Sequence, residues 1–321
     1  MAASTPGTHV LRHHHITIAT GGAQEDYDFH TKVLGLKNVK KTLFYDGAMP
    51  IYHLYYGNDN GDVSSLLTTF PMRHTGIKGT PGSGQIGYVA LSVPVGAIDY
   101  WKSRLAEHGF DTTDNQRFGE RYLDFAHPSG VGYTLVEVAS DPRAPRTNGP
   151  VPAEFMIRGT HSIGVSTRDI EMMEEFMQVG WGGCRINDDG NLVRYAVGEG
   201  GSGAIVDFVV EPERKPGSWI VGEGTVHHMA FEVASHQHQN ELRSFLEGIG
   251  YTDISEVKDR GYFDSIYVRT PSGALFEATV SHNPSFTCDE TWENLGTEVI
   301  VSPQFEKDKH ELISQIGYLR D

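Results

Sequence analysis

One strand–helix–strand pattern recurs four times along this 321-residue chain, at a spacing of about 70 residues, and few folds are open to a chain built that way. Each copy opens with a short strand, continues as one amphipathic helix and closes with several strands. The opening strands fall at residues 15–19, 86–93, 161–166 and 228–233, all apolar runs or period-2 alternations with β-branched residues. In the first helix Tyr27, Phe29, Val33 and Leu34 share a face, and Gly35 closes it. In the second, Ile98, Trp101 and Leu105 recur at helical spacing, with Gly109 as the stop. The third carries Ile170, Met173, Phe176 and Met177. The fourth carries Leu242, Phe245, Leu246 and Ile249, with Ser235 as its N-cap.

The plainest internal match lies near the ends of copies two and four. Phe125-Ala126-His127-Pro128-Ser129-Gly130-Val131-Gly132-Tyr133 resembles Val268-Arg269-Thr270-Pro271-Ser272-Gly273-Ala274-Leu275-Phe276, each a strand, a Pro-x-Gly turn and a strand. Residues 76–84 separate copies one and two. They are glycine-rich but lack the Lys-Ser/Thr ending of a phosphate loop, so they read as a linker. Residues 141–153, with Pro142, Pro145, Pro150 and Pro152, separate two halves, 1–148 and 149–321. Residues 198–203 read as a hairpin tip. Beyond Ser281 nothing repeats, and residues 304–319 carry a helical pattern (Phe305, Leu312, Ile316) expected to cap the core.

Chemistry-bearing residues sit at matching places in this repeat. His15 opens the strand Ile16-Thr17-Ile18, His228 opens Met229-Ala230-Phe231, and Glu277 lies in Leu275-Phe276-Glu277-Ala278. Two His and one carboxylate on a rigid frame make the facial triad of non-haem Fe(II) oxygenases, which leaves positions open for substrate and O2. A lone strand histidine is more often structural, and His13-His14-His15 has the look of a purification-tag remnant. Three points count against that reading. The run leads straight into a β-branched strand, a second His pair opens the equivalent strand of copy four, and a Glu in so apolar a strand is costly to bury unpaired. Alternation puts His15 and Thr17 on one face and His228 and Ala230 on one face. Donors from copies one and four imply that these two copies close one cup, leaving two and three to pair without a complete site. Copy two has Thr134 where Glu277 stands and no His at its opening strand. Copy three has His161 at the His15 position but only Asp207 near the end of its last strand. One metal per chain is therefore expected.

Other histidines have blander readings. His236 and His238 fit a solvated helix start, His161 a structural role, and His53, between Tyr52 and Tyr55, a satisfied core position. Arg260, in the polar, glycine-punctuated stretch 251–263, suits either surface or pocket; its place before the strand of Tyr267 favours the pocket.

Bulk properties narrow the function. The net charge of −16, from 26 basic and 42 acidic residues, argues against nucleic acid or an anionic membrane as partner. No apolar run approaches the length of a transmembrane helix, and residues 1–7 contain no signal-type apolar stretch. Cys184 and Cys288 are the only cysteines, too few for a disulfide framework, so a reducing, cytoplasmic setting is expected.

The four copies resemble the βαβββ modules of the vicinal oxygen chelate superfamily, which includes glyoxalase I, bleomycin-resistance proteins and extradiol dioxygenases. More narrowly, the chain is similar, nearly end to end, to the hydroquinone ring-cleaving dioxygenases that act on 2,6-dichlorohydroquinone or chlorohydroquinone. The likeness is carried by residues 14–21 (His-His-Ile-Thr-Ile-Ala-Thr-Gly), 41–47 (Lys-Thr-Leu-Phe-Tyr-Asp-Gly), 51–55 (Ile-Tyr-His-Leu-Tyr), 68–71 (Thr-Thr-Phe-Pro), 217–219 (Gly-Ser-Trp), 260–265 (Arg-Gly-Tyr-Phe-Asp-Ser) and 267–271 (Tyr-Val-Arg-Thr-Pro). It implies an α+β fold of four modules in two cupped mixed sheets, modules 1 with 4 and 2 with 3. It implies Fe(II), with Mn(II) as an alternative, on His15, His228 and Glu277, and pocket roles for His14, Thr17, His227, Arg260 and Tyr267. Departures around Thr134, Cys288 and the end of the chain bear on ring substituents and oligomer contacts.

The reaction expected is O2-dependent opening of a para-hydroquinone ring. A 1,4-diol cannot chelate one metal through both oxygens, so it should bind through one ionised hydroxyl. His227 or His14 would move protons, Tyr267 would favour the ionised hydroxyl, Arg260 would stabilise developing negative charge and Thr17 would orient a ligand. The expected partners are a small aromatic diol and O2, in a homo-oligomer. Two other classes stay open. One is a catechol dioxygenase or glyoxalase-type isomerase of the same fold; the isomerase is disfavoured by Thr68-Thr69 where a second Glu would come. The other is a non-catalytic, bleomycin-resistance-type binding protein, which would not need the triad.

Overall fold

The computed structural model describes residues 9–45 and 47–320; the N-terminal residues 1–7 and Asp46, both used above, lie outside them. Module 1 contains β1 (Val10–Thr20), β2 (Lys37–Phe44), β3 (Ile51–Gly57) and β4 (Leu66–Pro71). Module 2 contains β5 (Ile86–Pro94), β6 (Thr113–Arg117), β7 (Glu120–Ala126) and β8 (Gly132–Val138). Module 3 contains β9 (Gly159–Thr167), β10 (Cys184–Asp189), β11 (Leu192–Ala196) and β12 (Ile205–Val210). Module 4 contains β13 (Thr225–Val233), β14 (Lys258–Asp259), β15 (Phe263–Arg269) and β16 (Leu275–Ser281), and the tail adds β17 (Val299–Ile300).

The strands form two mixed sheets, and modules pair as the repeat predicts. One sheet runs β14-β15-β16-β13-β1-β4-β3-β2-β17, so module 4 meets module 1 at an antiparallel β13–β1 seam. The other runs β10-β11-β12-β9-β5-β8-β7-β6, with modules 3 and 2 joined at β9–β5. Each module lays one helix behind its sheet: α1 (Ala23–Asp28), α2 (Ile98–Glu107), α3 (Ile170–Glu175) and α4 (His236–Gly248). The seam strands are covered on both faces, by helices behind and by the cup in front. Ile16 and Ile18 join the core with Phe29, Trp101, Phe176 and Leu242, all essentially without exposure. His15 and Thr17 take the opposite face, because strand side chains alternate.

Helix boundaries follow local chemistry. The Ser235 hydroxyl accepts the His238 N–H and starts α4. Gly35 stops the first helix at φ +73, where an added Cβ would lie 2.7 Å from Val151 Cγ2. The first and third helices end in wide π-type turns, Phe29–Val33 and Phe176–Gly180, which periodicity alone did not predict. The expected tail helix is shorter than its pattern: a 3-10 turn, Pro303–Asp308, precedes α5 (Lys309–Ile316), whose Leu312 and Ile313 are buried. The tail is pinned elsewhere by the buried Lys40 of β2. Its ammonium donates to the Phe286 carbonyl at 3.0 Å and to Asp289 at 2.6 Å, and also pairs with Glu290.

Candidate active site

Sheet register brings together side chains that are far apart in sequence. Across the seam His15 faces Ala230 and Thr17 faces His228, while Ala230 in turn faces Glu277 on the parallel β16. Tyr267 on β15 faces Glu277. His15 Nε2 and His228 Nε2 are 3.2 Å apart. Glu277 Oε2 lies 2.8 Å from His228 Nε2 and 3.8 Å from His15 Nε2. That oxygen is buried and accepts no well-directed hydrogen bond, whereas Oε1 accepts the Thr279 hydroxyl at 2.9 Å. Two nitrogen lone pairs and one uncommitted carboxylate oxygen thus converge on one buried point. The donor set is suited to a divalent metal, and its carboxylate supplies the only charge.

The neighbours favour that reading by fixing tautomers. His14 Nδ1 lies 2.9 Å from His15 Nδ1, and His14 Nε2 lies 2.7 Å from the Ser281 hydroxyl. If His15 offers its Nε2 lone pair, its Nδ1–H donates to His14, whose own Nε2–H passes to Ser281. On the other side His228 Nδ1 lies 2.8 Å from His227 Nδ1, so the same logic leaves the His227 proton on Nε2. Burial pushes His14 down to about 4 and His227 to about 3, and holds His15 well below the ordinary imidazole range. These rings are therefore neutral. Burial works to raise Glu277, but the neighbouring His228, 2.8 Å away, outweighs it and keeps the group a carboxylate.

The centre opens on a cavity of about 720 Å³. Phe44, Phe70 and Phe263 form apolar walls, and Tyr55, Tyr262, Tyr267, His227 and Arg260 bring polar groups. Arg260 Nε donates to the Tyr267 hydroxyl at 3.0 Å and its guanidinium lies 5.1 Å from the ring centre. Burial pushes the Tyr267 phenol well above its usual range. Of the residues singled out in the sequence, His15, His227, His228, Arg260 and Tyr267 line this cavity, with Glu277 behind His15 and His228. His14 is absent from the lining; it braces His15 from behind. Thr17 is fully buried, its hydroxyl 2.8 Å from His228 Nε2 and 2.7 Å from the Thr68 hydroxyl.

The surroundings of His53 differ from the sequence reading. His53 lines the cavity and bonds Thr68 and Tyr55 rather than simply filling core. Part of the signal was available: His53 and Tyr55 are two apart on one strand and must share a face, while the register of Tyr55 with Thr68 appears only in the sheet.

The second cup answers the first position by position. Tyr88 faces Gly164 as His15 faces Ala230, and Ser162 faces Ala90 as His228 faces Thr17. Asp207 stands beside Gly164 as Glu277 stands beside Ala230. Ser162, and not His161, therefore occupies the ligand position of module 3, which corrects the assignment made from sequence. His161 falls one residue off and contacts Ser202 and Glu120 instead. At the centre of this cup sits Arg194. It donates to Asp207 Oδ1 at 2.7 Å, to Glu120 at 2.6 Å and to the Tyr122 hydroxyl at 2.8 Å, while Ser162 and Tyr88 also donate to Asp207. A guanidinium fixed to the chain balances the buried carboxylate there. A further buried group comprises Asp26, His30 and His127, in which His127 Nε2 and Asp26 Oδ1 lie 3.2 Å apart without a well-directed bond. His30 uses both nitrogens, on the Asp26 carbonyl and the Tyr133 hydroxyl, and His127 Nδ1 accepts the Ser129 N–H.

No protein-family model matches the chain. Individual relatives do. The chain is 47% identical over 303 residues, 94% of either length, to the chlorohydroquinone/hydroquinone 1,2-dioxygenase of Sphingobium indicum. It is 32% identical over 299 residues to MhqE of Bacillus subtilis, a candidate ring-cleaving dioxygenase, covering 93% of this chain and 96% of that one. The crystal structure of a candidate dioxygenase from Bacillus subtilis superposes with a TM-score of 0.89 at 31% identity, over 97% of this chain and 98% of that one. Glyoxalase I from Zea mays superposes with a TM-score of 0.58 at 12% identity, over 86% and 93%, a likeness of fold alone.

Proposed function

The chain belongs to the ring-cleaving dioxygenase family that includes the chlorohydroquinone/hydroquinone enzyme, within the vicinal oxygen chelate superfamily, and on that premise we propose that it opens the ring of a para-hydroquinone with O2 at an Fe(II) centre. His15, His228 and Glu277 hold the metal. What supports this reading is one observation: three buried donor atoms, one of them a hydrogen-bond-free carboxylate oxygen, converge at the polar end of an aromatic-walled cavity. When bound, Fe(II) supplies the electron relay that lets a closed-shell ring react with O2.

The chain's own residues do the rest. A hydroquinone enters along the phenylalanine-lined cavity and presents one hydroxyl to the centre. Tyr267 stays a neutral phenol, and because its oxygen accepts from Arg260, its O–H is free to donate to the ionised substrate hydroxyl. Arg260 adds a fixed positive charge where negative charge develops on oxygen. His227, neutral and with its proton on Nε2, holds or moves a proton at the cavity wall. His14 lies outside the cavity, so the proton-moving role goes to His227 and not to His14.

Three results are expected. Protein prepared without O2 and loaded with Fe(II) should consume O2 with hydroquinone, and not with catechol or the glutathione–methylglyoxal adduct. Uptake with catechol alone, or isomerisation of the adduct, would replace the reading. Tyr267→Phe should keep metal and fold while kcat falls by about 10²- to 10⁴-fold, the usual scale for one positioned proton donor. Arg260→Ala should raise KM and lower kcat together, because the charge serves both substrate and transition state. Wild-type kinetics in both variants would move these residues out of the pocket chemistry.

A further inference from the structure

A file of hydrogen-bonded groups leads from the cavity wall to the metal-binding point. The Tyr55 hydroxyl is 2.9 Å from His53 Nδ1, and His53 Nε2 is 3.1 Å from the Thr68 hydroxyl. Thr68 is 2.7 Å from Thr17, and Thr17 is 2.8 Å from His228 Nε2. Thr17 and Thr68 are without exposure, and His53 and Tyr55 border the cavity. Burial pushes His53 down to about 3, so its ring is neutral and offers one N–H and one lone pair. Burial also keeps Tyr55 a phenol.

Such a file has two polarities. A phenol is a much stronger donor than an imidazole N–H, and an imidazole nitrogen is a much stronger acceptor than a phenol oxygen. Tyr55 therefore donates to His53 Nδ1, His53 Nε2–H donates to Thr68, and Thr68 donates to Thr17. Each hydroxyl has one hydrogen, so Thr17 must point its own toward His228 Nε2. The position of Thr68 matters here: it stands beside Thr17 as Glu277 stands beside Ala230, so a hydroxyl replaces a second carboxylate.

We infer that His53 is a positioning residue: with Tyr55 and Thr68 it aims the Thr17 hydroxyl hydrogen at the metal-binding point, so that an oxygen held there meets a donor and not a lone pair. This rests on the metal-centre reading above and adds a residue to it. His53 acts through Thr68 and Thr17 and touches no reacting atom.

The test separates aiming from packing. His53→Phe keeps the ring that lies 4.3 Å from Phe70 but removes both nitrogens. It should retain metal and the KM for hydroquinone, with kcat down about 10- to 100-fold, the scale for disturbing a group outside the metal ligands. His53→Gln, whose amide still donates toward Thr68, should recover most of that loss. In a Thr17→Val background His53→Phe should cost nothing further, because the file already lacks its last member. An undiminished loss in that background, or no loss in wild type, overturns the inference. A second readout needs no turnover. In the Zn(II)-loaded protein, nitrogen-15 spectra of histidine should place the His53 proton on Nε2, and a proton on Nδ1 overturns the inference whatever the kinetics. If the wild type fails to consume O2 with hydroquinone, the substrate reading fails, and the tautomer measurement still decides the file.

Discussion

Glu277→Gln is expected to strip the centre of its metal and its activity while leaving the fold intact. Gln matches Glu in shape, so the strand pairs with Tyr267 and Ala230 survive. What goes is the single negative charge among the donors and the oxygen that has no other hydrogen bond. Metal affinity should fall by more than about 100-fold, beyond the cost of losing a partner outside the ligands. Stability gives an independent signature. Metal at about 100 times the wild-type Kd should stabilise the wild type by about 2.7 kcal/mol and the variant by less than about 0.4 kcal/mol. Elemental analysis and paired melting curves, with and without metal, read the two effects. Full metal occupancy in Glu277→Gln would sink the ligand assignment.

Arg194→Leu should produce the largest loss of stability, with no direct effect on metal stoichiometry. The substitution leaves Asp207, which has no exposure, without its counter-charge, and it removes the guanidinium bonds to Glu120 and Tyr122. Breaking a buried pair from one side typically costs about 3–5 kcal/mol. The double variant Arg194→Leu with Asp207→Leu should recover much of this, since a well-packed apolar replacement removes both buried charges together. Urea unfolding of the two variants measures the difference. Equal losses in single and double variants would mean that Arg194 matters for its packing and not for its charge.

Much of this architecture was legible because the repeat keeps its two periodicities visible. The apolar faces of four helices and four opening strands could be read directly, and the pairing of modules 1 and 4 followed from where the donors lay. His15, His228 and Glu277 stood out because each is polar in an apolar strand. Arg194 did not, since its partners lie on two other strands, β7 and β12, and nothing near it in sequence marks them. Lys40 was hidden for the same reason, its partners lying in the tail. His161 misled because one residue of slip turns a strand side chain to the other face, and only the ladder reveals which residue has the position. His53 was hidden by its aromatic flanks, which look like core and are cavity wall.

The seam between first and last modules also sets an order of events during synthesis. Modules 2 and 3 are adjacent in the chain and can close their sheet as soon as both have emerged. Strand β1 must wait for β13, with its apolar edge open, while the rest of the chain is made. At roughly 5–20 residues per second that wait is on the order of tens of seconds. A growing chain that ends before Thr225 carries one of the three donors, so this donor set is incomplete until the protein around it is nearly whole. A strand edge held open that long is also where a crowded cell would see this protein associate wrongly, and where a chaperone would have most to do.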